Sequence, residues 1–154
     1  MTPADLSGLR RATTADLDAV VALQHAAYAR NRPILGVEPI PLQADYARVL
    51  REWEVWLAED GEGLAGILIM QARPGDLLIW SIATAPSRQG QGFGGQLLAA
   101  AQMRARQLGR DLLRLYTGQK LTANVAWYSR HGFQVERVEA MPDRTAIHMV
   151  KAIH

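Results

Sequence analysis

Apolar positions along the chain follow two spacings, and these divide it into strands and helices. Short apolar runs predict strands at Leu9 to Ala12, Val55 to Glu59, Leu64 to Ala72, Leu77 to Ala83, Leu112 to Tyr116, Phe133 to Val138 and Ala146 to Lys151. Helical spacing governs the stretches between them. From about Asp16 to Arg30, the residues Leu17, Val20, Val21, Gln24 and Tyr28 fall on one face, with Thr14 as the N-cap. Gly94 to Leu108 carries a buried stripe of Leu97, Leu98, Ala101, Ala105 and Leu108. A shorter helix is predicted from about Leu42 to Arg51. Another begins with Thr122 as its N-cap and stops at Gly132. Pro33, Pro39 and Pro41 predict an irregular segment over Asn31 to Pro41, and Asp60, Gly61 and Gly63 a turn between two strands. The order is β-α-α-β-β-β-α-β-α-β-β. It predicts an α/β (α+β) fold, a mixed, mostly antiparallel central sheet flanked by helices.

The chemistry concentrates where the strand ending at Ala83 runs through Pro86 into the next helix. Gly90, Gly92, Gly94 and Gly95 fall within six residues there. Residues without a Cβ let the backbone approach a ligand closely, and the helix start adds its dipole, so the segment reads as a phosphate cradle. Gly90, Gly92 and Gly95 spell the dinucleotide pattern G-x-G-x-x-G, but Thr84 to Gln89 separate it from its strand, and the next strand ends without an acid. A P-loop would need Gly-Lys-Ser/Thr where Gly94-Gly95-Gln96 stands. Gln89-x-x-Gly92-x-Gly94 after a strand-ending proline instead resembles the acyl-CoA pyrophosphate loop of the GNAT superfamily of N-acetyltransferases. A second segment, TANVAWYSRHGF from Thr122 to Phe133, resembles the same family, with Tyr128 four residues before Gly132-Phe133. The likeness covers nearly the whole chain, strongly from Leu77 to Phe133 and in outline before that.

That resemblance implies acetyl-CoA as cosubstrate, a primary amine as acceptor, and direct attack of the amine on the thioester. It implies that main-chain groups of Ile82, Ala83 and Thr84 hold the pantetheine arm and the oxyanion, and that the amides of Gln89, Gly90, Gln91, Gly92, Phe93 and Gly94 bind the pyrophosphate. Tyr128 would protonate the leaving thiolate, since a phenol with a pKa near 10 can serve as the acid. Many relatives have Asn seven residues before this Tyr, where Leu121 stands here. Asn124, one turn before Tyr128, is the candidate for part of that polar role. Arg88, beside the loop, is a candidate helper toward phosphates. The general base has no clear candidate among Glu38, Asp45, Glu54, Tyr116 and His148. A non-catalytic acyl-CoA sensor of the same fold is the alternative reading.

Composition narrows the remaining classes. The 154 residues suit one domain spanning 1–154. The net charge is only +2, and Arg104, Arg106, Arg110 and Arg114 lack the interleaved aromatic residues of a base-stacking surface, so no nucleic-acid partner is expected. The apolar run Leu64 to Met70 is too short to span a bilayer and the N-terminus lacks a signal-peptide pattern, so a cytoplasmic protein with no membrane partner is expected. Cysteine is absent, and His25, His131, His148 and His154 lack ligand spacing, so no metal is expected. The oligomeric state stays open, a homodimer included.

Overall fold

The computed structural model describes Leu6 and residues 8–153. Seven strands form one sheet: β1 (Arg10–Arg11), β2 (Glu54–Asp60), β3 (Gly63–Ala72), β4 (Leu77–Thr84), β5 (Leu112–Gly118), β6 (Gln134–Ala140) and β7 (Thr145–Ala152). Their spatial order is β1-β2-β3-β4-β5-β7-β6, antiparallel throughout except at β4 and β5. Five helices accompany it: α1 (Leu17–Ala29), α2 (Arg32–Leu35), α3 (Tyr46–Glu52), α4 (Phe93–Gln107) and α5 (Thr122–Arg130).

The mixed sheet flanked by helices agrees with the sequence reading, and three local details correct it. The segment expected to be irregular holds α2 and a 3-10 turn at Ile40–Leu42, because Pro33 and Pro41 both stand in a first turn, where the missing N–H costs nothing. Thr13, not Thr14, caps the 3-10 turn that leads into α1, in a reciprocal box with Asp16. Thr122 is the first helical residue of α5 rather than its cap, and Leu121 takes the cap position.

Two apolar clusters cover the two faces of the sheet. Val20, Leu23 and Ala27 of α1 and Val49 of α3 pack on Val55, Leu57, Ile67 and Ile69. On the other face Leu97, Leu98, Ala101 and Ala105 of α4 pack on Trp56, Leu68, Met70, Leu77 and Ile79. β3 therefore buries both of its sides, which explains its unbroken apolar run.

Two irregularities in β4 shape the centre of the molecule. Ile69 pairs with Ser81 but Met70 pairs with Ile79, so Trp80 is an extra residue, a β-bulge. The bulge breaks the alternation of faces. Ile79 packs toward α4, whereas Trp80 and Ser81 both turn toward α1. The second irregularity is a splay. β4 and β5 pair only at Leu77↔Leu113 and Leu78↔Arg114 and then diverge, while β5 stays paired with β7 over its full length.

Candidate active site

Asp76 closes the narrow end of this wedge. It is 3% exposed, and its carboxylate accepts from Arg73 Nε at 2.7 Å and Nη2 at 2.6 Å and from Arg114 Nη1 at 3.0 Å. The Arg73 hydrogen bonds hold its pKa below the ordinary carboxylate range, with help from Arg114.

The wide end opens into a cavity of about 540 Å³. One wall is the diverging stretch of β4, including Ile82, Ala83 and Thr84, and the opposite wall is Leu115 to Gly118 of β5. From Ile79 onward the β5-facing side of β4 has no strand partner, which leaves main-chain donors and acceptors available along the gap.

The glycine loop forms the outer rim of the cavity. Gly90 and Gly92 have φ of +80° and +90°, the left-handed region where a Cβ is strained. Gly92 is the N-cap residue of α4, and no side chain caps this end. The first-turn N–H groups of Phe93, Gly94 and Gly95 thus face outward without an intrahelical acceptor, where the helix dipole is positive. Gly94 lies against α5, where a Cβ would meet the Trp127 ring at 3.5 Å, an ordinary contact. Of the residues the sequence singled out for this cradle, Gln89, Gly90, Gly92, Phe93 and Gly94 line the cavity, and Gln91 sits between them in the loop. Arg88 lines it too but is not free for a ligand. Its guanidinium grips Asp60 at 2.9 and 3.0 Å and fixes the loop to the β2–β3 turn.

Tyr128 enters from α5. Its ring meets Trp127 at 5.0 Å and Phe133 at 5.6 Å between centroids, both edge-on. Burial pushes its phenol above the usual value, with a smaller contribution from Tyr28, so the hydroxyl stays protonated at neutral pH. Asn124 and Leu121 line the same cavity, and Asn124 Nδ2 donates to Thr117 Oγ1 at 3.5 Å.

Sequence reasoning missed Tyr28 as a site residue. It appeared only as one position on the buried face of α1. In the structure its hydroxyl is 2.7 Å from Ser81 Oγ, and Gln24 Nε2 donates at 3.1 Å both to Ser81 Oγ and to Tyr46 Oη, which in turn donates to Pro41 O at 2.7 Å. The bulge at Trp80 is what turns Ser81 into this network. Burial raises the Tyr28 phenol as well. The separation of 53 residues between Tyr28 and Ser81 left no local signal to find.

Of the candidate bases, only Tyr116 lines the cavity, and burial raises its phenol too. Glu38 pairs with Arg32 at 2.9 Å, Asp45 caps α3, Glu54 pairs with Arg104 at 2.8 Å, and His148 contacts Glu139 at 2.8 Å. Among the described residues no Asp, Glu or His lines the cavity, and no cluster of three potential metal ligands occurs. His154 lies outside the described residues. No described helix is long and apolar enough to cross a membrane.

Solved structures share this architecture. Paia N-acetyltransferase from Thermoplasma acidophilum, in complex with coenzyme A, superposes with a TM-score of 0.79 at 16% identity, covering 94% of this chain and 98% of that one. The ribosomal-protein-S18-alanine N-acetyltransferase from Escherichia coli gives 0.76 at 21% identity, over 94% and 92% of the two chains. In sequence, the chain is 32% identical over 91 residues to YvbK of Bacillus subtilis, named an uncharacterized N-acetyltransferase, and the match spans 58% of this chain and 59% of that protein. The family model described as "Acetyltransferase (GNAT) domain" matches residues 51–135, which include the splayed strands, the glycine loop, α4 and Tyr128. With more than half of its length matched and the whole sheet in the same arrangement, the chain belongs to the GNAT acetyltransferase family.

Proposed function

We propose that the protein is an N-acetyltransferase that moves the acetyl group of acetyl-CoA to a primary amine by direct attack. One observation carries the reading: the unpaired edge of β4, the glycine-capped start of α4 and the Tyr128 phenol all line a single cavity. The unpaired main chain of Ile82, Ala83 and Thr84 suits the amides of a pantetheine arm and a developing oxyanion. The outward N–H groups at the start of α4, with the main chain of Gln89 to Gly92 beside them, suit a pyrophosphate. Asn124 adds a polar side chain beside them. In the reaction the amine nitrogen attacks the thioester carbonyl, the C–N bond forms and the C–S bond breaks. Tyr128 gives its proton to the departing thiolate, and the proton of the amine leaves to water.

The absence of a cavity carboxylate among the described residues is the observation that favours the rival reading, an acyl-CoA sensor without turnover. A CoA-release assay against a panel of amines and peptide N-termini separates the two. The acetyltransferase reading expects release with at least one amine, and a fall of roughly 10²- to 10⁴-fold in Tyr128→Phe at unchanged acetyl-CoA affinity. Acetyl-CoA binding with no release toward any amine supports the sensor. Full activity in Tyr128→Phe removes that residue from the mechanism.

A further inference from the structure

The charges around the acceptor end of the cavity restrict what can enter. Three arginines line the wall, Arg30, Arg88 and Arg144, and among the described residues no carboxylate does. Arg88 is held by Asp60 at the loop end. Arg144 shares its guanidinium with the neighbouring Asp143 at 3.1 and 3.0 Å, and Asp143 lines a separate, smaller cavity together with Lys120. Arg30 is different. It is exposed at the C-cap of α1 with no anionic partner among the described residues, and its positive charge acts on the Tyr28 phenol.

A cation at a helix C-terminus is favourable by itself, which accounts for an arginine at this position. It does not account for a cavity wall on which no described residue is an acid. A polyamine or other polycation would meet like charge on that wall and find no carboxylate to compensate its lost hydration. Leu35, Ile40, Trp80 and Met141 add apolar surface to the same cavity, beside the polar Asn31 and Ser81.

We infer that the acceptor is an amine that also carries a carboxylate on an apolar or aromatic body, an amino acid or a close derivative, with Arg30 gripping the carboxylate. The inference rests on the acetyltransferase reading above and names its substrate class. A guanidinium fork takes a carboxylate through two parallel hydrogen bonds, which also fixes the orientation of the amine. Its body would lie against Trp80 and Ile40, and its nitrogen would point inward toward Tyr28 and Ser81.

The test compares acetyl transfer to L-phenylalanine, phenylalanine amide, 2-phenylethylamine and spermidine, in the wild type, Arg30→Gln and Arg30→Lys. Wild-type kcat/KM should be about 10- to 100-fold higher for phenylalanine than for either carboxylate-free analogue, with the difference in KM, as expected for loss of one charged pairing. Arg30→Gln should reduce that preference below about threefold, and Arg30→Lys should retain part of it. Equal or faster transfer to 2-phenylethylamine or spermidine overturns the inference while leaving the acetyltransferase reading intact. A preference undiminished in Arg30→Gln also overturns it. Transfer to none of these four amines, by protein that binds acetyl-CoA and releases CoA with another amine or peptide N-terminus, overturns the inference alone, and no release across the whole panel overturns both.

Discussion

Replacing Asp76 with Asn removes one negative charge from the closed end of the wedge and keeps the side-chain shape. Its carboxylate accepts three hydrogen bonds from two arginines, one in the β3–β4 turn and one on β5 opposite Leu78. It thus joins the strands at the only place where they pair. A hydrogen bond to a charged group contributes about 1.5–3 kcal/mol and a neutral one about 1 kcal/mol. The Arg73 and Arg114 side chains are 43% and 34% exposed, so solvent screening favours the low end of that range. Asn keeps one acceptor oxygen, and the expected loss is about 2 kcal/mol, or a Tm lowered by roughly 4–8 °C at this chain length. The pH dependence has a definite sign. Because the folded carboxyl has a lowered pKa, its contribution is present above the unfolded value and fades as pH falls through the folded one. Thermal unfolding of both proteins followed by circular dichroism at pH 6, 5, 4 and 3 should show the gap closing toward acid. A Tm difference under 1 °C at pH 6, or a gap that stays constant down to pH 3, would refute the clamp.

Gly92→Val should abolish acetyl-CoA binding with an intact circular dichroism spectrum, since its φ of +90° disfavours a side chain and the added atoms project into open space at the rim. Gly94→Ala should bind almost normally, because its methyl meets Trp127 at an ordinary 3.5 Å; titration calorimetry distinguishes the pair. With an amine of pKa about 10, kcat/KM should climb with pH toward that value without a plateau near 7, because no Asp, Glu or His among the described residues lines the cavity. The Tyr128 phenol, held above its usual value by burial, should add no falling limb below about pH 10, which a pH–rate profile checks. Ser81→Ala should lower stability by about 1–3 kcal/mol, measured by urea denaturation, since the buried Gln24 amide and the Tyr28 hydroxyl lose a shared partner.

The parts legible in the sequence were those written locally. Glycines at Gly90 and Gly92, an apolar strand ending in Pro86 and the Tyr128 to Phe133 segment each carry their meaning within a dozen residues, and all lie where the sequence placed them. The strand and helix boundaries from β2 to β5 fell within a few residues for the same reason. What the sequence concealed depends on pairing. Nothing in LLIWSIAT marks Trp80 as the bulged residue, because the bulge exists only relative to β3. The splay likewise depends on where β5 stops accompanying β4. Tyr28 and Ser81 meet across two elements, and Arg88 found Asp60 28 residues away instead of a free position at the rim. Proline content misled for a different reason: Pro33 and Pro41 look disruptive by residue type but are harmless in a first turn.

The splay also bears on which chains can reach the unpaired groups of β4. A strand whose hydrogen-bonding groups lack a neighbour is ordinarily an invitation to foreign chains, and natural proteins blunt such strands with charges, prolines or bulges at the outer margin of a sheet. β4 carries its vacancy in the middle of the sheet, between β3 and β5. An intruding polypeptide would have to enter a gap that narrows to closure at Leu78 and Arg114, with the floor occupied by Asp76 and its two arginines. A slender, flexible chain can thread part of that gap, whereas a strand entering it can run along β4 only as far as the closure at Leu78. The geometry that keeps backbone groups ready for a ligand therefore also limits how far another strand could pair along β4.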